Sequence, residues 1–237
     1  MGATGTATRK RRPLVWVAAA VAVVVAGAAL AIYLFFFHHT TPKRFAVSST
    51  PSKPIDPSQL GGTWTIAPGS EVGYRVREKL AILPEKSDAV GRTAAVTGTV
   101  AIQQTTGSVV VSDVQFEADL TSLKSDRSQR DDRMHTVGLE SNTFPKATFV
   151  SRGPVTVPPE AVQGQKVTVP AVGDLTIHGV TKRVTIPVDA HLSGAQIELA
   201  GSLNFPLTDY GIDIPSFGGF VTVDGDANLE FHLLLKK

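Results

Sequence analysis

The sequence predicts a mainly β protein, a closed antiparallel barrel with one short inserted helix, preceded by an apolar N-terminal helix. Three observations support this fold class. Residues 14–37 form an uncharged apolar run, hydrophobic and polar residues alternate with period two from residue 61 onward, and residues 125–139 interrupt that alternation. One helix inserted among strands, with a strongly alternating last strand, favours a barrel over a β-sandwich.

The N-terminal region has the features of a membrane anchor. The basic sequence RKRRP precedes residues 14–37, LVWVAAAVAVVVAGAALAIYLFFF, and a span needs only about 20 apolar residues. Trp16 and Tyr33 lie near the ends of this run, where aromatic rings suit the membrane interface. We therefore expect residues 1–13 in the cytoplasm, residues 14–37 as a single-pass transmembrane helix, and the rest outside. A cleaved signal peptide is the alternative, although its apolar region is usually only ~7–15 residues long.

The next segment, residues 38–60, reads HHTTPKRFAVSSTPSKPIDPSQL and is rich in proline, serine and threonine. This composition, without apolar periodicity, predicts an extended and mostly disordered linker. His38 and His39 are adjacent here, but a closed metal site needs about four ligands. We therefore expect a linker rather than a metal site, followed by the barrel domain in residues 61–237.

The barrel domain is predicted from strands that are each apolar on one face. VSDVQFEADL and NLEFHLLL show the alternation most clearly, and turn signals such as TTGS and VDGD separate such strands. A barrel of about eight strands holds either a packed core or one small ligand, and an apolar cavity would suit a lipid. The positions that strand parity directs towards such a cavity are Val72, Tyr74, Val76, Val100, Phe116, Ala118, Ile186, Val188, Phe231 and Leu233.

The interrupting segment, residues 125–139, predicts a short helix. Ser125 or Asp126 suits its N-cap, and Gly138 suits its end. Arg127, Asp131 and His135 then share one face, at i, i+4 and i+8. This face could carry ordinary ion pairs in solvent, or Asp131 could orient His135 as a catalytic base. The second interpretation also requires a hydroxyl nucleophile beside the histidine.

Composition and motifs exclude several classes of function. The chain has no cysteine, which excludes a disulfide framework, a thiolate zinc site and a cysteine nucleophile. The net charge of +2 does not suggest a nucleic-acid-binding protein. HExxH, GxSxG and the glycine-rich phosphate-binding motifs are all absent from the sequence. We therefore expect no catalytic residues, no metal and no cofactor.

Four stretches of the folded part occur in a characteristic order. GTWTIAPGSEVGYRV places Trp64 and Ser70 in an opening strand pair, and SLKSDRSQRDDRMHTVGLESNTFPKATF carries the pair Arg130 and Asp131. VGDLTIHGVTKRVTIPV, with His178, reads as a strand, a turn and a strand, and TDYGI follows late in the chain. Together these stretches resemble the YceI-like family of lipocalin-like, polyisoprenoid-binding proteins.

The resemblance covers residues 61–237 and implies an eight-stranded, lipocalin-like antiparallel barrel with an elongated apolar cavity. It implies as ligand an isoprenoid-type lipid, polyprenyl or quinone-like, whose polar head lies near the mouth. Arg133 stands where relatives often carry histidine, and Leu207 where they often carry arginine, so the head-group contacts are expected to differ. The polar residues expected at the mouth are Arg130, Asp131, Arg133, His178 and Asp209.

These expectations combine into one function and two alternatives. We expect a membrane-anchored, extracytoplasmic protein that binds an isoprenoid-type lipid and is not an enzyme. One alternative is an envelope stress or scaffold protein whose barrel is filled and binds no ligand. The other is an extracytoplasmic hydrolase centred on His135 and Asp131.

Overall fold

The computed structural model describes residues 12–37, 41–81, 85–105, 108–214, 216–217 and 221–237, in two compact units divided after Thr40. The first unit contains helix α1, Arg12–Phe37, whose many alanines favour helix and whose Pro13 lies in the tolerant first turn. Among the described residues, no helix has the length and apolarity of a membrane span. The predicted cytoplasmic N-terminus up to residue 11, and the His38–His39 pair, lie outside the described residues.

The second unit contains a closed antiparallel barrel. Its strands are β1 Gly62–Ile66, β2 Glu71–Leu80, β3 Ser87–Thr93, β4 Val96–Thr105, β5 Ser108–Asp119, β6 Lys146–Ser151, β7 Val155–Val157, β8 Val167–Ile177, β9 Val180–Ser193, β10 Gln196–Pro206, β11 Ser216–Phe217 and β12 Val221–Lys236. The sheet runs in the order β1-β4-β5-β6-β8-β9-β10-β12 and closes because β12 pairs again with β1, which confirms the eight-stranded barrel. Strands β2 and β3 extend the sheet from β12, whereas β7 pairs with β5 and β11 with β12.

Buried side chains cluster at the two ends of the barrel. Trp64 and Leu235 belong to the cluster at one end, which we call the tryptophan end. Leu175 and Tyr210 belong to the cluster at the opposite end, which we call the helix end. The space between these clusters is bounded by the inward faces of the strands, and it is there that a cavity forms.

The predicted inserted helix is present at the helix end, but it begins differently. Helix α2, Ser128–Arg133, continues into a π-helical turn, Met134–Gly138. Its N-cap is Arg127, whose side chain makes no capping hydrogen bond. Neither Ser125 nor Asp126, the expected caps, is the N-cap residue: Ser125 Oγ accepts a hydrogen bond from Arg127 N, and both side chains accept hydrogen bonds from Arg130. Shorter helical elements are Pro57–Gln59, Leu120–Ser122, α3 Pro159–Val162 and Leu207–Tyr210.

The segment before the barrel, residues 41–61, differs from the predicted disordered linker, and we call it the N-terminal strap. It belongs to the same compact unit as the barrel. Its backbone is hydrogen-bonded to the chain beyond β7, because Ser52 N donates to Gly164 O at 2.9 Å and Ile55 N to Val162 O at 2.8 Å. These backbone bonds order a composition that would otherwise favour disorder.

Side chains hold the first part of the strap against the outside of the barrel. The guanidinium carbon of Arg92 lies 3.8 Å from the centre of the Phe45 ring, and the His232 ring stacks on Phe45 at 5.8 Å. Val47 is only 6% exposed. Such isolated apolar residues create no periodic pattern, so the linker prediction could not foresee that distant strands provide their partners.

Candidate functional site

The barrel encloses an apolar cavity of about 260 Å³. Strands β2, β4 to β10 and β12 all contribute to its wall. Nearly all the lining residues are aliphatic, aromatic or glycine; the polar side chains are those of Tyr74, Glu117 and Thr148. This volume lies just below the usual range for ligand sites, about 300–1,000 Å³. The cavity counts against the filled barrel of the scaffold alternative.

The cavity is elongated along the barrel. Its wall includes Leu60 and Leu235 at the tryptophan end, and Leu207 and Ile212 at the helix end. Along β8 alone it extends from Val167 to Ile177, which corresponds to roughly 33 Å of extended strand. A long narrow apolar space of this kind accepts an extended chain better than a compact molecule.

The structure places all ten of the predicted cavity residues on this wall. These residues are Val72, Tyr74, Val76, Val100, Phe116, Ala118, Ile186, Val188, Phe231 and Leu233. That they contact a ligand stays a prediction. Sequence reasoning missed Met134 and Leu139, which come from the helical segment, because strand parity does not apply there. It also missed Val109 and Val111, which lie beyond a register shift between β4 and β5.

Aromatic rings on the wall pack against glycines of neighbouring strands. A Cβ atom added at Gly201 would lie 2.5 Å from Phe231 Cζ, and one added at Gly91 would lie 2.3 Å from Tyr74 Cε1. Because each ring takes the place that a neighbouring side chain would fill, it occupies the wall and leaves more of the lumen open. The same packing relates Phe116 to Gly98 and Phe149 to Gly173.

A polar cluster surrounds Arg130 at the helix end. Its Nη2 donates to Glu78 Oε1 at 2.7 Å, and its Nη1 donates to Asp126 and to Ser125 Oγ. Burial acts to lower the pKa of Arg130, but the charge of Glu78 and the hydrogen bonds to Glu78 and Asp126 outweigh it and raise the pKa. Asp131, the other member of the predicted pair, accepts a hydrogen bond from Ser125 N at 2.8 Å. The cluster is therefore a largely self-compensated set of charges.

A smaller cavity of about 50 Å³, which we call the annex, lies between the main cavity and this cluster. Its wall is shared with the main cavity at Tyr74, Val76, Met134, Leu139, Leu207 and Ile212, and is completed by Glu78, Ala89, Arg130, Arg133, Gly138 and Val223. Among the described residues, neither Tyr74 Oη nor Arg130 Nε has a hydrogen-bond partner, although both atoms are buried. Burial, above all, raises the pKa of Tyr74, so its hydroxyl stays protonated.

The remaining polar candidates divide between the annex and the turns around it. Arg133 lines the annex with an exposed side chain. His178 lies in the turn between β8 and β9 with a left-handed backbone (φ 51°), and its Nδ1 is 3.1 Å from Tyr210 O. Asp209 is exposed, and its Oδ1 is 3.5 Å from Lys182 Nζ. His178 and Asp209 are therefore outside the annex wall and join loops at the same end of the barrel.

The hydroxyl required by the hydrolase alternative is present but inaccessible. His135 Nδ1 and Ser141 Oγ are hydrogen-bonded at 2.5 Å, and Ser141 is only 1% exposed. The carboxylate of Asp131 is hydrogen-bonded to Ser125 N, as described above. A buried serine cannot reach a substrate carbonyl, so the pair joins the helical segment to the turn that follows it. In the described part of the chain, no group of three or more His, Cys, Asp or Glu side chains could hold a metal ion.

Comparison with known proteins gives a consistent result across most of the barrel unit. A protein-family model described as YceI-like domain matches residues 64–235. A curated relative, UPF0312 protein VPA0850 of Vibrio parahaemolyticus serotype O3:K6 (strain RIMD 2210633), is 29% identical over 126 residues, which are 50% of this chain and 62% of the relative. The chain thus matches less than two thirds of that relative's length.

Solved structures show the same fold. BcnA of Burkholderia cenocepacia has a TM-score of 0.51 at 22% identity, covering 70% of this chain and 95% of that protein. A polyisoprenoid binding domain from Saccharophagus degradans, implicated in plant cell wall breakdown, has a TM-score of 0.54 at 18% identity, covering 73% of this chain and 97% of that domain. The YCEI protein of Campylobacter jejuni has a TM-score of 0.51 at 14% identity, covering 67% of this chain and 90% of that protein. At these identities the likeness concerns the fold alone.

Proposed function

Because the chain belongs to the family of YceI-like domains, we propose that its barrel binds an isoprenoid-type lipid, polyprenyl or quinone-like, in the central cavity. The observation that carries the proposal is the elongated cavity with its almost wholly apolar wall. Each CH₂ group of a chain buried there contributes about 0.8 kcal/mol. The similar domain from Saccharophagus degradans is described as polyisoprenoid binding, which supports this choice of ligand class.

The shape of the wall favours a branched isoprenoid chain over a bulky compact lipid. Rings packed on glycines give the wall a varied surface of aromatic and β-branched side chains, for which Phe231 on Gly201 is an example. Methyl branches spaced along an extended chain can fill the hollows between such side chains, and dispersion contacts of this kind add up over many atoms. The proposal is for binding and carries no catalytic step.

The membrane location is part of the proposal and rests on the sequence. The apolar run of residues 14–37 follows the basic sequence RKRRP, which is the arrangement of an anchor with a cytoplasmic N-terminus. An anchored barrel would meet its lipid at a high local concentration near the bilayer. Retention of the full chain in membranes after high-salt and alkaline washing tests this part, and release by those washes would refute it.

The binding proposal is tested by lipid recovery and uptake. The full chain is purified, and lipids extracted from it are identified by mass spectrometry; uptake of added polyprenyl and quinone lipids is then measured. Ala171→Trp places a large ring on the cavity wall and is expected to lower the bound lipid at least tenfold. The matched control is Thr185→Trp, on the exposed face of β9, which should bind normally. Recovery of no lipid together with no uptake of either lipid would support the scaffold alternative instead.

A further inference from the structure

The annex presents two buried hydrogen-bond donors to the end of the main cavity. We propose that it holds an uncharged oxygen acceptor at the head of the lipid, a hydroxyl or carbonyl oxygen, which accepts hydrogen bonds from Tyr74 Oη and Arg130 Nε. The inference rests on the proposed function and specifies it further. It selects, within the isoprenoid class, prenyl alcohols and quinone-like lipids over phosphorylated ones.

The two donor atoms, Tyr74 Oη and Arg130 Nε, are both buried. Tyr74 is 9% exposed, and its ring is held on Gly91 of the neighbouring strand β3, directly opposite in the register. More than about 90% of buried polar groups in proteins have a hydrogen-bond partner. Tyr74 Oη and Arg130 Nε have none among the described residues, and both residues line the same 50 Å³ space. Two such groups in one small cavity indicate a site for a polar ligand atom.

Both protein groups act as hydrogen-bond donors. The Nε–H of arginine can only donate, and the Tyr74 hydroxyl is protonated because burial raises its pKa. The other nitrogens of Arg130 already donate to Glu78, Asp126 and Ser125. The two free donors therefore call for an acceptor oxygen, which a hydroxyl or carbonyl group of a lipid supplies.

The annex is bordered by charged side chains of both signs. Glu78 and Arg130 both line it and form an ion pair at 2.7 Å, and Asp126 pairs with Arg130 as well. These three groups together carry one more negative than positive charge, so they do not attract a phosphate or diphosphate. Arg133 also lines the annex, but its side chain is exposed and its charge is screened by solvent. An uncharged head group fits this balance best.

The annex lies beside the main cavity, which is the proposed site of the lipid chain. The two cavities share six wall residues and therefore adjoin each other. In the proposal, a lipid whose chain fills the main cavity passes its terminal oxygen between these side chains into the annex. The shared wall is apolar except for the Tyr74 hydroxyl. The lipid therefore meets an apolar wall along its chain and donors only at its head.

The experiment measures the affinity of the full-length protein, in detergent, for three lipid probes. The probes have isoprenoid chains of equal length: a polyprenol, the corresponding polyprenyl phosphate and the corresponding hydrocarbon. The polyprenol is expected to bind about five- to tenfold more tightly than the hydrocarbon, and at least as tightly as the phosphate. Tyr74→Phe should remove most of the preference for the polyprenol over the hydrocarbon. Arg130→Lys, which keeps the positive charge beside Glu78 but removes the second donor, should act in the same direction.

The matched control is Tyr210→Phe. Tyr210 Oη is also buried without a described partner, but Tyr210 lines neither cavity, so this variant should bind all three probes normally. Equal affinities for the alcohol and the hydrocarbon would mean that the annex holds only water, and would overturn the inference. Tighter binding of the phosphate would overturn it too. Failure of all three probes, including the hydrocarbon, would instead refute the proposed lipid binding itself.

Discussion

Replacing Glu230 by glutamine is expected to destabilise the barrel through a buried ion network on its outer face. Glu230 is 1% exposed and accepts hydrogen bonds from Arg75 at 3.1 and 3.3 Å and from Arg92 at 2.8 and 3.2 Å. The same two arginines hold the N-terminal strap, because Arg75 donates to Pro42 O and Arg92 to Lys43 O. Loss of the carboxylate therefore affects both the barrel and the strap.

The size of the expected destabilisation depends on the ion pairs that Arg75 and Arg92 keep in the variant. Arg75 is 4% exposed, and breaking a buried pair by removing one partner costs about 3–5 kcal/mol. Arg75 keeps its ion pair with Asp88 at 3.2 Å, which moves the estimate to the lower end of that range. Arg92 is more exposed and adds no more than about 1 kcal/mol. We expect Glu230→Gln to lower the free energy of unfolding by about 3 kcal/mol.

Urea unfolding of residues 41–237, followed through the fluorescence of the buried Trp64, measures this loss. The midpoint should fall while the denaturant slope stays constant. The control is Asp224→Asn on the same strand, whose exposed ion pair with Lys86 should be worth about 0–1 kcal/mol. Amide exchange at Ser48, whose N–H donates to Glu198 Oε2, should quicken in the Glu230 variant alone. A loss below about 1 kcal/mol, or equal losses in both variants, would refute the reasoning.

Three further predictions concern the wall, the strap and the buried serine. Gly201→Ala should lower the free energy of unfolding by about 1–3 kcal/mol, measured by urea, because its Cβ would meet Phe231 and, at 2.9 Å, Pro187 O; unchanged stability would contradict the packing. Burial acts to raise the pKa of Glu198, but hydrogen bonds from His232 and Ser48 N outweigh it and lower the pKa. The strap contact of Glu198 should therefore be fully present above pH ~4.3, the ordinary glutamate pKa, and be lost as the pH falls through the lowered pKa of Glu198, measured by limited acid proteolysis; loss on raising the pH would contradict this sign. Ser141→Ala should cost about 1 kcal/mol in urea unfolding and leave ester hydrolysis at the level of the unmodified chain, whereas a specific loss of hydrolysis would revive the hydrolase alternative.

The barrel was predictable because its signal is local. Period-two alternation depends only on which residues follow one another in a strand, and all ten positions predicted from it lie on the cavity wall. The prediction was incomplete near Ala101 and Ile102, where the register between β4 and β5 shifts and the simple parity no longer holds. The YceI-like resemblance was carried by motifs of the same local kind, and the family match confirms it.

The annex was only half predictable. Arg130 was expected at the mouth, but its partner Glu78 lies 52 residues earlier in the chain, and nothing in the sequence relates the two. Tyr74 was expected on the cavity wall, yet its role as a donor in the annex depends on how Gly91 of the next strand positions the ring. Both relations arise from strand register and from the docking of α2 on the barrel end.

The sequence by itself determined the short helix and most of the strands with their inward faces, because hydrophobic periodicity and turn residues act over a few neighbouring positions. Only the tertiary structure decided that the N-terminal strap packs on the barrel and that two unpartnered donors meet at the end of an apolar cavity. These features join residues from separate strands and segments, such as Phe45 with Arg92 and Tyr74 with Arg130. Barrel closure brings them together, and it is a property of the whole sheet rather than of any one strand.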